Sequence, residues 1–252
     1  MLKDEVILVT GGAGRIGSAF CEGIVKNRAK VVIGDISSEL GGLLEEKLST
    51  SSAYFVETDV KNIDSIKNLI EKAEKKFGKV NSAVHCAYPV SKQWGASLED
   101  LKPDELSENL FSQLGSAILV SQQIIKYFRQ NKGGNLVHIS SIQGISAPKF
   151  EHYKQTKMVS PIEYSAIKSG IIAITRYLSK YCRNQNIRVN CISPGGILDE
   201  QPKEFQVKYS DSCNSKGLLN AKDLVGALIF LLSKESEFIQ GQNLIVDDGW
   251  NL

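Results

Sequence analysis

The sequence predicts an α/β protein: a doubly wound, seven-stranded parallel sheet with helices on both faces. Three observations carry this. Short runs rich in β-branched residues alternate with longer amphipathic stretches almost from end to end of the 252 residues. The short runs are apolar on both faces, as strands covered on both sides must be. A glycine cluster lies between the first run and the stretch that follows it. Strand–helix alternation of this kind builds a parallel sheet, because each crossover helix returns the chain to the same end of the sheet.

Taken in order, the expected strands are Val6–Thr10, Lys30–Asp35, Ala53–Thr58, Ser82–Ala87, Asn135–Ser140, Arg188–Ser193 and Asn243–Asp248. Between the third and fourth runs, Ile66, Leu69, Ile70, Ala73 and Phe77 form one apolar stripe with lysines and glutamates opposite, the period of a helix on a sheet. Near the end, "GALIFLLS" is too short to cross a membrane and reads as a buried helix face. No linker, repeat or low-complexity segment interrupts the pattern, so one domain over residues 1–252 is expected. Two segments, Ser141–Ser160 and Gly195–Asn220, lack a helical period. Both follow strands, where loops border the ligand crevice of a doubly wound sheet.

A hydrophobic content of 42%, a charged content of 23% and a net charge of +2 suit a soluble globular protein and give no basic surface for nucleic acid. No membrane partner is expected either. The five cysteines are scattered without a C-x-x-C pair, which suggests free thiols in a reducing compartment and no metal site. "MLKDEVILVT" passes directly from charge into a strand, with no leader pattern, so the cytoplasm is the expected location.

"VILVTGGAGRIGSAF" places Gly11, Gly12, Gly14 and Gly17 between the first strand and the first helix. Glycines there let the chain turn tightly and approach a pyrophosphate, and the helix N-terminus supplies N–H donors. Asp35, 18 residues after Gly17, ends the second strand. A carboxylate at that point accepts from the adenosine ribose hydroxyls and repels a 2′-phosphate, which favours NAD over NADP. Arg15 works against that preference, since a basic residue in the loop could assist a phosphate. Asp59 is placed to meet the adenine amino group, or simply closes its strand.

Tyr-x-x-x-Lys occurs twice, as Tyr153–Lys157 and Tyr164–Lys168. In "SPIEYSAIKSGIIAITRYLSKYC", Ser160 as N-cap, Pro161 as first helical residue and Glu163 three after the serine form a capping box. Ile167, Ile171, Ile174 and Leu178 continue the helix, so Tyr164 and Lys168 share one face. The first pair is followed by a β-branched residue and a proline, which forbid a long helix through it. An ammonium beside the phenol favours the phenolate, making Tyr164 a plausible acid/base. Ser141, just past the fifth strand, could hydrogen-bond the same substrate oxygen.

With "TGGAGRIG", Asp35, "TDV", "HISSI", "YSAIK", "IRVNCISPGG" and "GQNLIVDDGW" in this order, the chain resembles the short-chain dehydrogenase/reductase family over essentially all its length. The resemblance implies a Rossmann-type NAD(P)-binding sheet and a Ser141–Tyr164–Lys168 site. Lys168 would also hold the nicotinamide ribose, and Pro194 and Gly195 would close over the nicotinamide. It implies cofactor contacts at Gly11, Gly14, Arg15, Ile16, Gly17, Asp35, Asp59, Val60, Ala87 and Ile197, and a homo-oligomer, a dimer or tetramer.

Four departures stand out. Arg15 replaces a family glycine, giving G-x-x-G-x-x-G, a spacing similar to that of the branch acting on nucleotide sugars. "VHCAY" stands where the family has Asn-Asn-Ala-Gly. The relay asparagine is either Asn109 or Gln113. The segment between Ser141 and Tyr164 is longer than usual. Its Lys149, Lys154, Lys157 and His152 could recognise an anionic group such as a sugar phosphate, or form a solvated loop or subunit contact. The pattern is similar to oxidoreductases of flagellin modification and nonulosonic-acid synthesis, implying a small, polar, sugar-derived substrate. An NAD-dependent oxidoreductase interconverting hydroxyl and carbonyl is the leading expectation. A lyase or epimerase using NAD transiently, and a non-catalytic NAD-binding sensor, are the alternatives.

Overall fold

The computed structural model describes residues 1–92 and 94–252. All seven expected strands are present: β1 (Val6–Thr10), β2 (Lys30–Asp35), β3 (Ala53–Glu57), β4 (Ser82–His85), β5 (Gly134–Ile139), β6 (Ile187–Pro194) and β7 (Asn243–Val246). They form one sheet in the order β3-β2-β1-β4-β5-β6-β7, every pairing parallel. Strands β3, β4, β5 and β7 end one or two residues before the expected points, because the chain leaves the ladder there and turns into the crevice.

Among the described residues, eight α-helices connect or flank the strands: α1 (Arg15–Lys26), α2 (Ser38–Leu48), α3 (Ile63–Phe77), α4 (Pro103–Leu110), α5 (Ser116–Gln130), α6 (Ile162–Tyr181), α7 (Lys203–Ser210) and α8 (Val225–Leu232). A five-residue π-helical turn, Phe111–Gly115, joins α4 to α5. Successive strand residues face opposite sides of a sheet, and here both sides are buried. Ile7, Val9, Val31 and Ile33 pack with Phe20 and Ile24 of α1 and Leu228 and Leu232 of α8. Val6, Leu8 and Val32 pack on the other face with Ile66 and Leu69 of α3 and Ile124 and Phe128 of α5. That two-sided burial is why the strands read as continuous apolar runs.

Helix α6 begins differently from expectation. Its N-cap is Pro161, in extended geometry (φ −66°, ψ 141°), which offers no side-chain cap. Ser160 donates its hydroxyl to Gln143 Oε1 at 2.8 Å, and Glu163 accepts from Asn109 Nδ2 at 3.3 Å. The capping box is absent because both of its side chains are taken by long-range partners. Tyr164 and Lys168 still fall in the opening turns, one turn apart. The Tyr153–Lys157 stretch is preceded only by a short 3₁₀ turn at Phe150–His152. Segment Gly195–Asn220 is less irregular than expected, since α7 lies within it.

Candidate active site

The strand order reverses direction between β1 and β4, and the carboxyl ends of β1 to β6 open onto a crevice of about 820 Å³. This is where a doubly wound sheet binds ligands. Gly11, Gly14, Arg15, Ile16, Gly17, Asp35, Asp59, Val60, Ala87, Ser141, Tyr164, Lys168, Pro194, Gly195 and Ile197 all line it. Asn109 and Gln113 do not.

At the β1 end the glycine loop is built by steric necessity. Gly11 has φ +67°, and a Cβ there would stand 2.5 Å from Ala87 Cα. A Cβ on Gly17 would meet the Gly11 carbonyl oxygen at 2.0 Å. Helix α1 therefore starts close against the loop. Its first turn holds no acidic side chain and its N-cap, Gly14, has no side chain to cap it, so the N–H groups at this helix start suit an anion. Asp35 accepts from Ala13 N–H at 2.9 Å with Oδ2 and from Ser37 N–H at 3.1 Å with Oδ1. Each carboxylate oxygen can accept a further bond from the crevice, as a ribose-binding carboxylate requires. Asp59 is steadied by Lys61 N–H, 2.9 Å from Oδ1. These residues fit an adenine dinucleotide.

Further along the crevice, Tyr164 lies half-buried with its ring edge-on to Tyr88 (centroids 5.8 Å apart) and Trp94 (6.1 Å). The Lys168 ammonium sits 5.5 Å from the Tyr164 ring centre and 5.2 Å from that of Tyr88, and donates to the Ile139 carbonyl at 3.3 Å. Burial lowers the Lys168 pKa from its ordinary value to about 8. Burial pushes the Tyr164 phenol up, and hydrogen bonding with Ser141 opposes this. The expected depression of the phenol by Lys168 is therefore not found. The ammonium stands over the ring face rather than beside the hydroxyl, and loss of solvent is the main influence on the phenol. Ser141 also accepts from Gln143 N–H at 3.2 Å, which holds its hydroxyl in the crevice.

The relay candidates separate. Asn109 is buried with both amide groups engaged: Oδ1 accepts from Ser91 N–H at 3.3 Å and Nδ2 donates to Glu163. Gln113 is buried in the π-helical turn, and among the described residues neither its Nε2 nor its Oε1 has a partner. The long segment after Ser141 also differs from expectation. Lys149, Lys154 and Lys157 do not line the crevice. Lys149 donates to the Trp250 carbonyl at 3.1 Å and stands over the Trp250 ring, while the Lys154 carbonyl accepts from Lys208 at 2.7 Å. Lysine contacts thus brace the loop against α7 and the C-terminal residues, because their long stems reach those backbone oxygens.

The segment instead brings His152 and Tyr153 into the crevice wall, beside Phe205, Tyr209 and Trp250. Tyr209 stacks on Trp250 at 5.8 Å, and His152 meets Phe205, Tyr209 and Trp250 at 5.7 to 6.2 Å. Tyr209 also accepts from Gly196 N–H at 2.6 Å, fixing the turn after β6. Of this wall, sequence reasoning named only His152 as a candidate; it missed the rest, together with Tyr88, Gln143 and Asp199. Tyr88 had a signal, since it closely follows a strand end. The others come from separate parts of the chain, α7, the turns after β5 and β6 and the C-terminal residues, with no shared pattern to join them.

Comparison with known proteins agrees with this geometry. A family model described as enoyl-(acyl carrier protein) reductase matches residues 11–251. A post-translational flagellin modification protein A from Campylobacter coli is 41% identical, with 100% of each chain covered. A probable galactose dehydrogenase from Rhizobium meliloti is 30% identical over 98% of this chain and 95% of its own. A short-chain dehydrogenase from Leptospira borgpetersenii, crystallised with bound NAD+, superimposes with a TM-score of 0.87 at 30% identity, covering 100% of this chain and 94% of that one.

Proposed function

The chain belongs to the short-chain dehydrogenase/reductase family of oxidoreductases, and we propose that it is an NAD-dependent enzyme interconverting a hydroxyl and a carbonyl on a small polar, sugar-derived substrate. The observation that carries this reading is Tyr164, held beside Ser141 and Lys168 in the same crevice as the glycine loop and Asp35. Bound NAD would supply hydride transfer at the carbon of the reacting group.

The protein's own residues manage the oxygen. Tyr164, kept protonated by burial, donates its proton to a carbonyl oxygen during reduction and takes one back in the reverse direction. Ser141 shares a hydrogen bond with that oxygen and fixes its approach. Lys168 holds positive charge over the tyrosine ring and meets the ribose hydroxyls. Gln113, whose buried amide one turn beyond Asn109 has no partner among the described residues, is the better relay residue, and Asn109 ties α4 to α6. Asp35 selects NAD. Arg15 pairs with Asp199 rather than with Asp35, which leaves the Asp35 carboxylate without a neutralising cation among the described residues.

The sugar assignment is supported by the name of the Rhizobium relative. The flagellin-modification relative favours a place in protein modification. The insertion lysines give no support to an anionic substrate. Five unpaired cysteines favour the cytoplasm. Exposed Phe111, Ile118, Tyr177 and Tyr181 around α5 and α6 favour a homo-oligomer. Among the described residues, no helix is long and apolar enough to cross a membrane.

The test is NAD-coupled turnover of a panel of hexoses and hexose phosphates by wild-type protein and Tyr164→Phe. We expect net NADH formation by the wild type. In the variant, turnover should fall about a thousandfold with NADH binding unchanged. Turnover that survives the substitution removes Tyr164 from the chemistry; a reaction without net NADH points to a lyase or epimerase.

A further inference from the structure

We infer that Arg15 and Asp199 form a salt-bridge strap across the cofactor crevice, and that Asp199 competes with the cofactor's pyrophosphate for Arg15. This rests on the dinucleotide reading above. Arg15 is the first residue of α1, at the helix end where an anion finds free N–H donors. Asp199 lies 184 residues away, in the turn that follows β6. Both line the same crevice, and their side chains pair across it.

The two partners are free to change places. Their side chains are 53% and 47% exposed, so neither is locked by packing. Among the acidic side chains lining the crevice, Asp35 and Asp59 each hold backbone N–H groups, whereas the Asp199 carboxylate has Arg15 as its side-chain partner. Lys168 is buried and committed to the Ile139 carbonyl. Arg15 is thus the crevice cation at the helix start that can turn to a phosphate without breaking the fold.

The turn carrying Asp199 is itself braced. Asp199 N–H donates to Gln201 Oε1 at 2.6 Å, and Gln201 Nε2 donates to the Ile197 carbonyl at 2.7 Å. Leu198 N–H donates to the Leu219 carbonyl at 2.7 Å. That last bond pins the residue beside Asp199 to the strand-like pairing of Ile197 with Leu219. When the strap opens, the backbone of Asp199 therefore keeps its place at the crevice rim, and the long Arg15 side chain makes the larger movement.

Two charges then act in opposite senses on a bound pyrophosphate. Arg15 attracts it, and Asp199 on its braced turn repels it and draws Arg15 back. Asp199 so weakens cofactor binding and speeds cofactor release, which an enzyme that must exchange its dinucleotide each turnover can use.

The experiment is NADH binding by stopped-flow fluorescence at low and high salt, on wild type, Asp199→Asn, Arg15→Gln and the double variant. Asp199→Ala serves as a second version of the acid variant, and circular dichroism checks folding. We expect Asp199→Asn to bind NADH about fivefold more tightly, mainly through slower release, as one partly exposed ion pair allows. The gain should shrink with salt and be smaller in the Arg15→Gln background, since the two sites are coupled. Arg15→Gln alone should bind more weakly. Folded acid variants that bind NADH no better than wild type, or an Arg15→Gln that binds better, overturn the strap while leaving the dinucleotide reading intact. Wild-type protein that binds no NADH overturns both.

Discussion

The two halves of the crevice are built by different means. The cofactor half is a set of strand ends: Gly11 after β1, Asp35 at the end of β2, Asp59 after β3 and Ala87 after β4. Each is placed by its own strand, and the sheet supplies the spacing. The substrate half has no such frame. It is an assembly of three parts, the segment after Ser141, α7 and the C-terminal residues, which hold one another through His152, Tyr153, Phe205, Tyr209 and Trp250. A site made of strand ends inherits the rigidity of the sheet. A site made of mutually packed loops stands or falls with its own small core.

The largest test of that contrast is Trp250→Ala. Trp250 is 3% exposed and stacked on Tyr209, so its loss should destabilise the protein by about 3–5 kcal/mol in urea unfolding. At temperatures where the variant stays folded, NADH affinity should change by less than about twofold, since the adenosine-side contacts come from the ends of β1 to β4 rather than from the loop core. A parallel loss of NADH binding would show that the cofactor half leans on the loop core after all.

A smaller effect is expected at Lys168, where the two halves meet. Its folded pKa of about 8 lies below the unfolded value of 10.5, so burying the charged form costs stability. The sign follows from proton binding. Below pH 8 both states are protonated and the full penalty is present; between 8 and 10.5 the unfolded state binds more protons, and stability rises with pH. Lys168→Met should therefore raise the thermal midpoint at neutral pH, by the equivalent of about 2–3 kcal/mol, while abolishing turnover. The advantage should fade through the same window. A variant less stable than wild type at neutral pH would mean that the ammonium's contacts with Tyr88, Tyr164 and the Ile139 carbonyl outweigh its lost hydration.

The same contrast decides what could be read from the sequence. The seven strands and the glycine loop announce themselves through local pattern, because burial on both faces writes a continuous apolar run and the tight turn at Gly11 admits little else. Asp35 is legible for the same reason, since it ends a strand. The start of α6 defeats a local rule: Ser160 and Glu163 have the spacing of a capping box, but Gln143 and Asn109 take them. No local pattern distinguishes those outcomes, because the partners lie 17 and 54 residues away. The loop lysines mislead similarly. Their charge is visible in the sequence, but where Lys149 points depends on Trp250, at the far end of the chain. The aromatic wall joins residues with no shared period, and Gln113, whose buried amide has no partner among the described residues, lies in a π-helical turn that periodicity does not reveal.

The central claim is that Asp35 makes the cofactor half an NAD site. Calorimetric titration of NADH and NADPH, on wild-type protein and on Asp35→Ala, tests it most directly. Wild type should bind NADH at least about tenfold more tightly than NADPH, the cost of setting a phosphate against a carboxylate. Asp35→Ala should narrow the gap, by weakening NADH and strengthening NADPH. Equal binding of the two by the wild type, or a gap that the substitution leaves unchanged, would contradict it.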